Sequence, residues 1–313
     1  MRMGGIRMSK LTINDLIKKA EEADKAVEEA HKTGNYIKAK NTYQELYDLF
    51  KCELGEKHPT TLKVLNYLAN SYYDLGDYNK ACELQNAVYN ARKEILGEKH
   101  SDTLTSLNNL ANSYSDLGDY NKACKLQNAV YNASKEILGE THPDTLASLN
   151  NLTNSYSYLG AYNKAYKLQK AVYNARKEIL GETHPDTLTS LNNLAITYSS
   201  LGDYNKALEM KNAVYNARKE ILGEKHPDTL ASLNNLASSY SYLGDYNKAC
   251  ELQNAAYNAR KEILGEKHPD TLSALHNLAI FYSDLGDYNK ACELQNAVYN
   301  ARTESWERNI QIH

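Results

Sequence analysis

Residues 97–138 read GEKHSDTLTSLNNLANSYSDLGDYNKACKLQNAVYNASKEIL, and this unit recurs with few changes from residue 55 onward. Its first glycine recurs at a constant step of 42 residues, at Gly55, Gly97, Gly139, Gly181, Gly223 and Gly265. The constant step means that whole units were repeated without insertion or deletion. A period of this length is typical of stacked-repeat proteins, in which each unit packs on its neighbours.

Each unit contains two helical patterns, which we call helix A and helix B. In the unit quoted above, apolar residues from Leu104 to Leu117 recur at steps of three or four and predict helix A. Those from Tyr120 to Ile137 predict helix B in the same way. The turn between them is so short that helix B must fold back antiparallel on helix A. A glycine after helix B is typical of a helix end, and a proline at the next start is typical of a first helical residue. Where the proline is missing, Ser101 is predicted to be the N-cap.

Seven positions of the unit carry a resemblance to a known family. They are Leu107, Leu110, Ala111, Tyr114, Gly118, Tyr120 and Ala123. This pattern resembles the tetratricopeptide repeat, although the unit is longer than the 34 residues usual in that family. The longer form looks like the repeats of kinesin light chains and of related proteins in bacteria and fungi. The resemblance covers roughly residues 34–302 and implies an all-α fold, a right-handed α-solenoid of tandem helix-turn-helix repeats. HEAT and armadillo repeats have a similar period but lack the Gly-x-Tyr-x-x-Ala hairpin.

The sequence predicts three segments. Residues 1–10 are a short, basic and flexible N-terminus, residues 11–302 hold seven tandem repeats, and residues 303–313 are a C-terminal tail. The first repeat is divergent, and its polar opening helix is predicted to cap the stack. Because its apolar residues also resemble a heptad, a short coiled coil is an alternative. The long heptad region through which kinesin light chains join their heavy chains is missing, so motor association is not expected.

The composition is that of an ordinary globular protein, with 42% apolar residues, 24% charged residues and a net charge of -3 over 313 residues. Near-neutral charge argues against nucleic acid or an anionic membrane as a partner. No apolar run is long enough for a signal peptide or a membrane span, so we expect a cytoplasmic protein. Equivalent cysteines recur in helix B at Cys82, Cys124, Cys250 and Cys292. Packed helices lie about 8 to 10 Å apart, beyond disulfide reach, which favours reduced thiols.

The sequence contains no pattern of an enzyme. It lacks a phosphate-binding loop, because Gly-Glu-Lys-His-Pro has a single glycine and no Gly-Lys-Ser/Thr ending. One histidine recurs in each repeat, at His58, His100, His142, His184, His226 and His268. Residues one repeat apart cannot converge on a single metal ion. We therefore expect no metal, no cofactor and no catalysis, and we expect the histidines to pack the turn before helix A.

In the tetratricopeptide fold the A helices line a concave groove, and the resemblance places two columns of helix A residues there, the Asn108 and Asn112 columns. The Asn109 column is the neighbour of the first, and the Asp116 column is a further helix A position that varies between repeats. Each column is named after its member in residues 97–138. The Asn108 column comprises Asn66, Asn108, Asn150, Asn192, Asn234 and His276. The Asn109 column comprises Tyr67, Asn109, Asn151, Asn193, Asn235 and Asn277. The Asn112 column comprises Asn70, Asn112, Asn154, Ile196, Ser238 and Ile280. The Asp116 column comprises Asp74, Asp116, Tyr158, Ser200, Tyr242 and Asp284.

The Asn108 column is predicted to hold peptide backbone. A carboxamide offers two donors and an acceptor, so it can pair with both the N–H and the C=O of an extended peptide. For the Asn109 column, a groove role and a bridge between adjacent helices both stay open. The two variable columns predict selectivity, since they change from polar and acidic to more apolar and aromatic beyond Tyr158. A ligand with a basic or polar end and an apolar end would fit this change.

These observations favour a non-catalytic protein-protein interaction scaffold that binds an extended peptide or a partner segment in the groove. One alternative is a structural solenoid that self-assembles through its ends. The last helix B should expose an apolar face, which a second copy, Trp306 and Ile310, or the remainder of a longer parent protein could cover. The other alternative is a regulatory or sensor arm of a larger signalling protein.

Overall fold

In the computed structural model, the described residues are 11–32 and 35–311, and they form fourteen helices. The helices are α1 (Ile13–Lys32), α2 (Tyr36–Leu54), α3 (Pro59–Asp74), α4 (Tyr78–Leu96), α5 (Ser101–Asp116), α6 (Tyr120–Leu138), α7 (Pro143–Tyr158), α8 (Tyr162–Leu180), α9 (Pro185–Ser200), α10 (Tyr204–Leu222), α11 (Pro227–Tyr242), α12 (Tyr246–Leu264), α13 (Pro269–Leu285) and α14 (Tyr288–Gln311). The predicted flexible segment 1–10 lies outside the described residues, as do the side chains of 304–311.

The chain divides into two compact units, Met1–Leu159 with α1–α7 and Gly160–His313 with α8–α14. Within each unit, every helix packs on the next one along the chain. Odd-numbered helices are A helices and even-numbered helices are B helices. This arrangement confirms the predicted fold class, an all-α solenoid of tandem helix-turn-helix repeats. The helix pairs meet at small residues, since one alanine in each B helix from α2 to α12 is fully buried: Ala39, Ala81, Ala123, Ala165, Ala207 and Ala249.

The helix boundaries follow local chemistry. Each A helix from α3 to α13 begins at the proline position, and each B helix from α2 to α12 is followed by a glycine with positive φ. Gly139, for example, has φ 90° and ψ 164°, a conformation that is essentially restricted to glycine. The prediction of Ser101 as an N-cap is wrong, because Ser101 is the first residue of α5 and His100 is the cap. Nδ1 of His100 accepts a hydrogen bond from the N–H of Asp102 at 3.1 Å, so the histidine side chain already provides the N-cap hydrogen bond of α5.

The last helix is longer than the repeat pattern predicts. Helix α14 continues to Gln311, so residues 303–311 of the predicted tail are helical. Glu307 occupies the position at which Gly265 ends α12, and no glycine is available there to adopt positive φ. Cys292 on α14 is exposed, whereas the equivalent Cys250 on α12 is buried beneath the following helix. Self-association through this uncovered face stays a prediction.

An arginine on each of the helices α4, α8 and α10 binds the start of the following A helix. Nη1 of Arg92 donates to Oγ of Ser106 at 2.8 Å and to the carbonyl oxygen of Asp102 at 3.1 Å. The same contact to serine recurs in the second unit, from Arg176 to Ser190 at 2.8 Å and from Arg218 to Ser232 at 2.9 Å. In α6 this position is Ser134, which lines a cleft of about 290 Å³ together with Ser148 of α7. The first unit therefore lacks one of its inter-repeat contacts.

We expect Ser134→Arg to stabilise the first unit by about 1 to 2 kcal/mol. The guanidinium would enter the cleft and donate to Ser148 and to the backbone at the start of α7, as Arg92 does at α5. The measurement is the free energy of unfolding in urea, followed by circular dichroism. Ser134→Lys is the matched control, because it adds the same charge without the planar donor fork. Equal stability of the two variants would show that the arginine contact contributes nothing specific.

Candidate functional site

In each unit, three of the predicted columns lie together along the A helices, and we call the surface that they form the A face of that unit. The A face consists of the Asn108, Asn112 and Asp116 columns. The asparagines of the Asn108 column are half-buried, and His276 is exposed. The Asn112 column is more open, with Ile196 48% and Ile280 41% exposed. In the Asp116 column the rings of Tyr158 and Tyr242 are 61% and 64% exposed. Each unit thus presents side chains of these columns at the surface of its A helices.

The Asn109 column bridges adjacent A helices. In the first unit, Nδ2 of Asn109 donates to Oδ1 of Asn66 at 3.3 Å, and Nδ2 of Asn151 donates to Oδ1 of Asn108 at 3.0 Å. In the second unit, the corresponding bonds run from Asn235 to Asn192 at 3.2 Å and from Asn277 to Asn234 at 3.0 Å. Each bond holds the amide of an Asn108-column residue by its oxygen. The orientation of that amide is therefore set by the next repeat.

The A face of the first unit is polar and carries carboxylates. One cleft of about 500 Å³ is lined by Asn70, Asp74 and Asn112 among others, and a second of about 330 Å³ is lined by Asn112, Asp116 and Tyr158 among others. The hydroxyl of Tyr73 donates to Oδ2 of Asp116 at 2.6 Å. This hydrogen bond, with burial, raises the pKa of Tyr73 to about 12. Asp116 is thus held in place by the preceding A helix.

The A face of the second unit differs from that of the first unit in the chemistry of its side chains. A cleft of about 440 Å³ lies between α9, α10 and α11, and Ile196, Ser200, Ser238 and Tyr242 of the predicted columns line it. None of the described residues that line this cleft carries a carboxylate. The ring of Tyr242 stacks on Tyr204, with 5.5 Å between centroids and 9° between planes. This part of the A face combines hydroxyls with apolar and aromatic surface.

Lys211, which was not among the predicted site residues, lines the same cleft. This lysine is only 5% exposed, and among the described residues no hydrogen bond or ion pair reaches its ammonium group. Burial alone lowers the pKa of Lys211 to about 8. A signal was present in the sequence, because equivalent positions of the other full repeats hold glutamine. They are Gln85, Gln127, Gln169, Gln253 and Gln295.

The repeated histidines are helix caps. His142, His184, His226 and His268 each accept, through Nδ1, the N–H two residues further on at 3.2 Å. Among residues 11–32 and 35–311, no group of three His, Cys, Asp or Glu side chains is arranged to hold a metal ion. Within the same part of the chain, no helix has the length and apolarity needed to cross a membrane.

Known structures share this architecture. The chain is similar to a kinesin light chain-like protein from Podosopora anserina, whose nearly identical TPR-like repeats are known from a crystal structure. The identity is 29% and the TM-score 0.57, and the match covers 66% of this chain and 97% of that one. A Rap protein complexed with Competence and Sporulation Factor matches with 15% identity and a TM-score of 0.58, over 94% of this chain and 80% of that one. NprR in complex with its cognate peptide NprX matches with 14% identity and a TM-score of 0.58, over 94% of this chain and 81% of that one.

Sequence comparison identifies the repeats directly. No curated protein sequence matches the chain. The tetratricopeptide repeat model matches six overlapping stretches, residues 29–94, 60–123, 102–178, 154–220, 207–261 and 228–304. The chain therefore belongs to the tetratricopeptide repeat family, and its repeats are of the kinesin light chain-like type.

Proposed function

We propose that this chain is a non-catalytic scaffold that holds an extended peptide segment of a partner protein against its A face. The observation that carries the proposal is the asparagine bridge between adjacent A helices. The bridge occupies one lone pair of each Asn108-column oxygen that accepts it. The amide nitrogen then projects at a fixed orientation, and it offers donors to the carbonyl groups of a bound backbone.

The repeat spacing suits this role because it presents the same amide once per repeat. Each hydrogen bond contributes roughly 0.5 to 1.5 kcal/mol, and association costs at least about 4 kcal/mol. Backbone contacts by the asparagines alone would therefore give weak binding. The variable Asn112 and Asp116 columns supply the further contacts, and these differ between the two units. The structural likeness to NprR, which was solved with its cognate peptide, supports a peptide ligand.

The test is selection of binders from a random peptide library on the parent chain and on a variant with Asn→Asp at 108, 150, 192 and 234. Aspartate keeps an oxygen that can accept the bridge from the next repeat, but it replaces the amide donors by a second acceptor. We expect peptides that enrich on the parent to bind this variant about 30-fold to 10⁴-fold more weakly, the sum of four lost hydrogen bonds.

The matched control carries Asn→Asp at 90, 132, 174 and 216, which are exposed positions on B helices. It has the same net charge as the test variant, so a general effect of added charge would weaken both. Circular dichroism and the urea midpoint check that both variants fold. Equal selection of the same peptides by the parent and the A-face variant would refute a backbone-binding role for the Asn108 column.

A further inference from the structure

Lys211 is a charged residue in a position built for a neutral amide. In α8 and α12 the equivalent glutamines are fully buried and donate to backbone of the following A helix. Nε2 of Gln169 reaches the carbonyl oxygen of Ser190 at 3.3 Å, and Nε2 of Gln253 reaches that of Ala274 at 2.9 Å. Lys211 is nearly as buried, but no corresponding hydrogen bond reaches its ammonium among the described residues. A buried, unpartnered ammonium is costly, so its presence calls for a partner.

The surroundings of Lys211 fit an anion. Its cleft of about 440 Å³ opens on the A face and has no carboxylate among its described lining residues. The Asp116 column, which is acidic in the first unit, reads Ser200 and Tyr242 here. The hydroxyl of Ser200 donates to the backbone carbonyl oxygen of Ile196 at 3.2 Å, and the hydroxyl of Ser238 donates to the backbone carbonyl oxygen of Asn234 at 3.1 Å. Each hydroxyl has one hydrogen and can rotate, so it can leave its carbonyl and donate to an anion that enters the cleft instead.

The cleft is also walled by apolar surface. The exposed side chain of Ile196 and the stacked rings of Tyr204 and Tyr242 line it. A carboxylate carried on a short apolar stem would place its charge beside Lys211 and its methylene groups against this wall. A fully hydrated inorganic anion would gain only the first of these contacts.

We propose that Lys211 is the anchor of a carboxylate-binding subsite on the A face, which takes an acidic group of the bound peptide. This inference rests on the proposed function and adds a chemical specificity to it. The ammonium supplies a charge-assisted hydrogen bond. Ser200 and Ser238 supply hydroxyl donors, and Ile196 and Tyr242 contact the stem of the acidic residue. The ligand therefore carries a negative charge at the place where it crosses α9–α11.

The first arm of the test uses peptides selected on the parent chain. Their affinities are measured for the parent, Lys211→Gln, Lys211→Met and the control Lys219→Gln, which removes an exposed lysine of the same helix. We expect a common Asp, Glu or free C-terminus, and at least about 30-fold weaker binding to both Lys211 variants but not to the control. Amidating the C-terminus, or changing the acidic residue to Asn or Gln, identifies which carboxylate binds. Such a neutral peptide should no longer distinguish the parent from Lys211→Gln.

The second arm needs no peptide, so it separates failure of this subsite from failure of the proposed function. Lysine is labelled with ¹³C, and the ε-methylene signal of Lys211 is identified by its loss in Lys211→Gln. We expect 3-phenylpropionate to shift this signal saturably and its uncharged amide, 3-phenylpropanamide, to leave it in place. A signal that responds to neither compound, or to both alike, overturns the carboxylate subsite even if peptides enrich on the A face. Conversely, if the library yields no binder, the proposed function fails, while the response of this signal still decides the subsite.

Discussion

Replacing Lys211 by glutamine should raise the free energy of unfolding by about 3 kcal/mol at pH 7. Burial lowers the pKa of Lys211 from 10.5 to about 8, and each unit of displacement corresponds to about 1.4 kcal/mol. The variant removes this penalty. It also restores the amide that Gln169 and Gln253 use to bind the following A helix. A stabilising substitution at a single position would show that the parent chain retains a costly residue there, as expected of a binding site.

The pH dependence separates desolvation from packing. Below pH 8, Lys211 is protonated in both the folded and unfolded states, so the full penalty applies. Between pH 8 and 10.5 the unfolded chain keeps the proton and the folded chain loses it, so the stability of the parent rises with pH. Tyr204 and Tyr242 are the other titratable groups lining the cleft. We expect the difference between parent and variant to shrink across this window in urea unfolding experiments. A difference that is constant from pH 7 to 10.5 would instead point to the restored hydrogen bond.

The reverse substitution, Gln253→Lys, should be strongly destabilising. Gln253 is 0% exposed, and its side chain donates to the carbonyl oxygen of Ala274 at 2.9 Å. A lysine there would bury an ammonium without a counter-ion. Fully buried groups shift by up to 3 to 5 pKa units. A lysine shifted this far is partly or wholly deprotonated at pH 7, so the cost at neutral pH is limited to about 4 to 5 kcal/mol. The measurement is the urea midpoint of the variant at pH 7 and at pH 10.5, where deprotonation should recover part of the loss.

Gln253→Met is the matched control for this prediction. It has a similar length and removes the hydrogen bond to Ala274 without introducing charge. It also removes the buried Oε1 of Gln253, which accepts no hydrogen bond among the described residues, so it should cost no more than the net value of one hydrogen bond, about 0.5 to 1.5 kcal/mol. If Gln253→Lys is no less stable than Gln253→Met, the position tolerates an ammonium. Lys211 would then need no partner to explain its presence.

Much of the architecture could be predicted from one repeat. The spacing of apolar residues in 104–137 predicts two helices, and the prolines and glycines at fixed positions predict where they begin and end. These features depend on contacts within one or two helical turns, so they can be read from neighbouring residues. The placement of the asparagine columns on helix A follows from the same periodicity, although their binding role stays a prediction.

Two features of the helix ends could not be predicted from the repeat pattern. His100 caps its helix because its Nδ1 can reach an N–H two residues away, and the sequence pattern favoured the adjacent Ser101 instead. Helix α14 continues to Gln311 because Glu307 stands where other repeats have glycine. The substitution is visible in the sequence, but the repeat pattern did not predict that the helix would continue through it.

The sequence by itself determined the repeat, the helix pairs, most of their boundaries and the residues that share a helix face. Only the tertiary structure decided that Asn151 bridges to Asn108, and that Lys211 is buried without a partner in a cleft between α9, α10 and α11. The physical reason is that periodicity specifies the face of a helix on which a side chain lies. Burial and pairing are set by side chains of the next repeat, about 42 residues away in sequence.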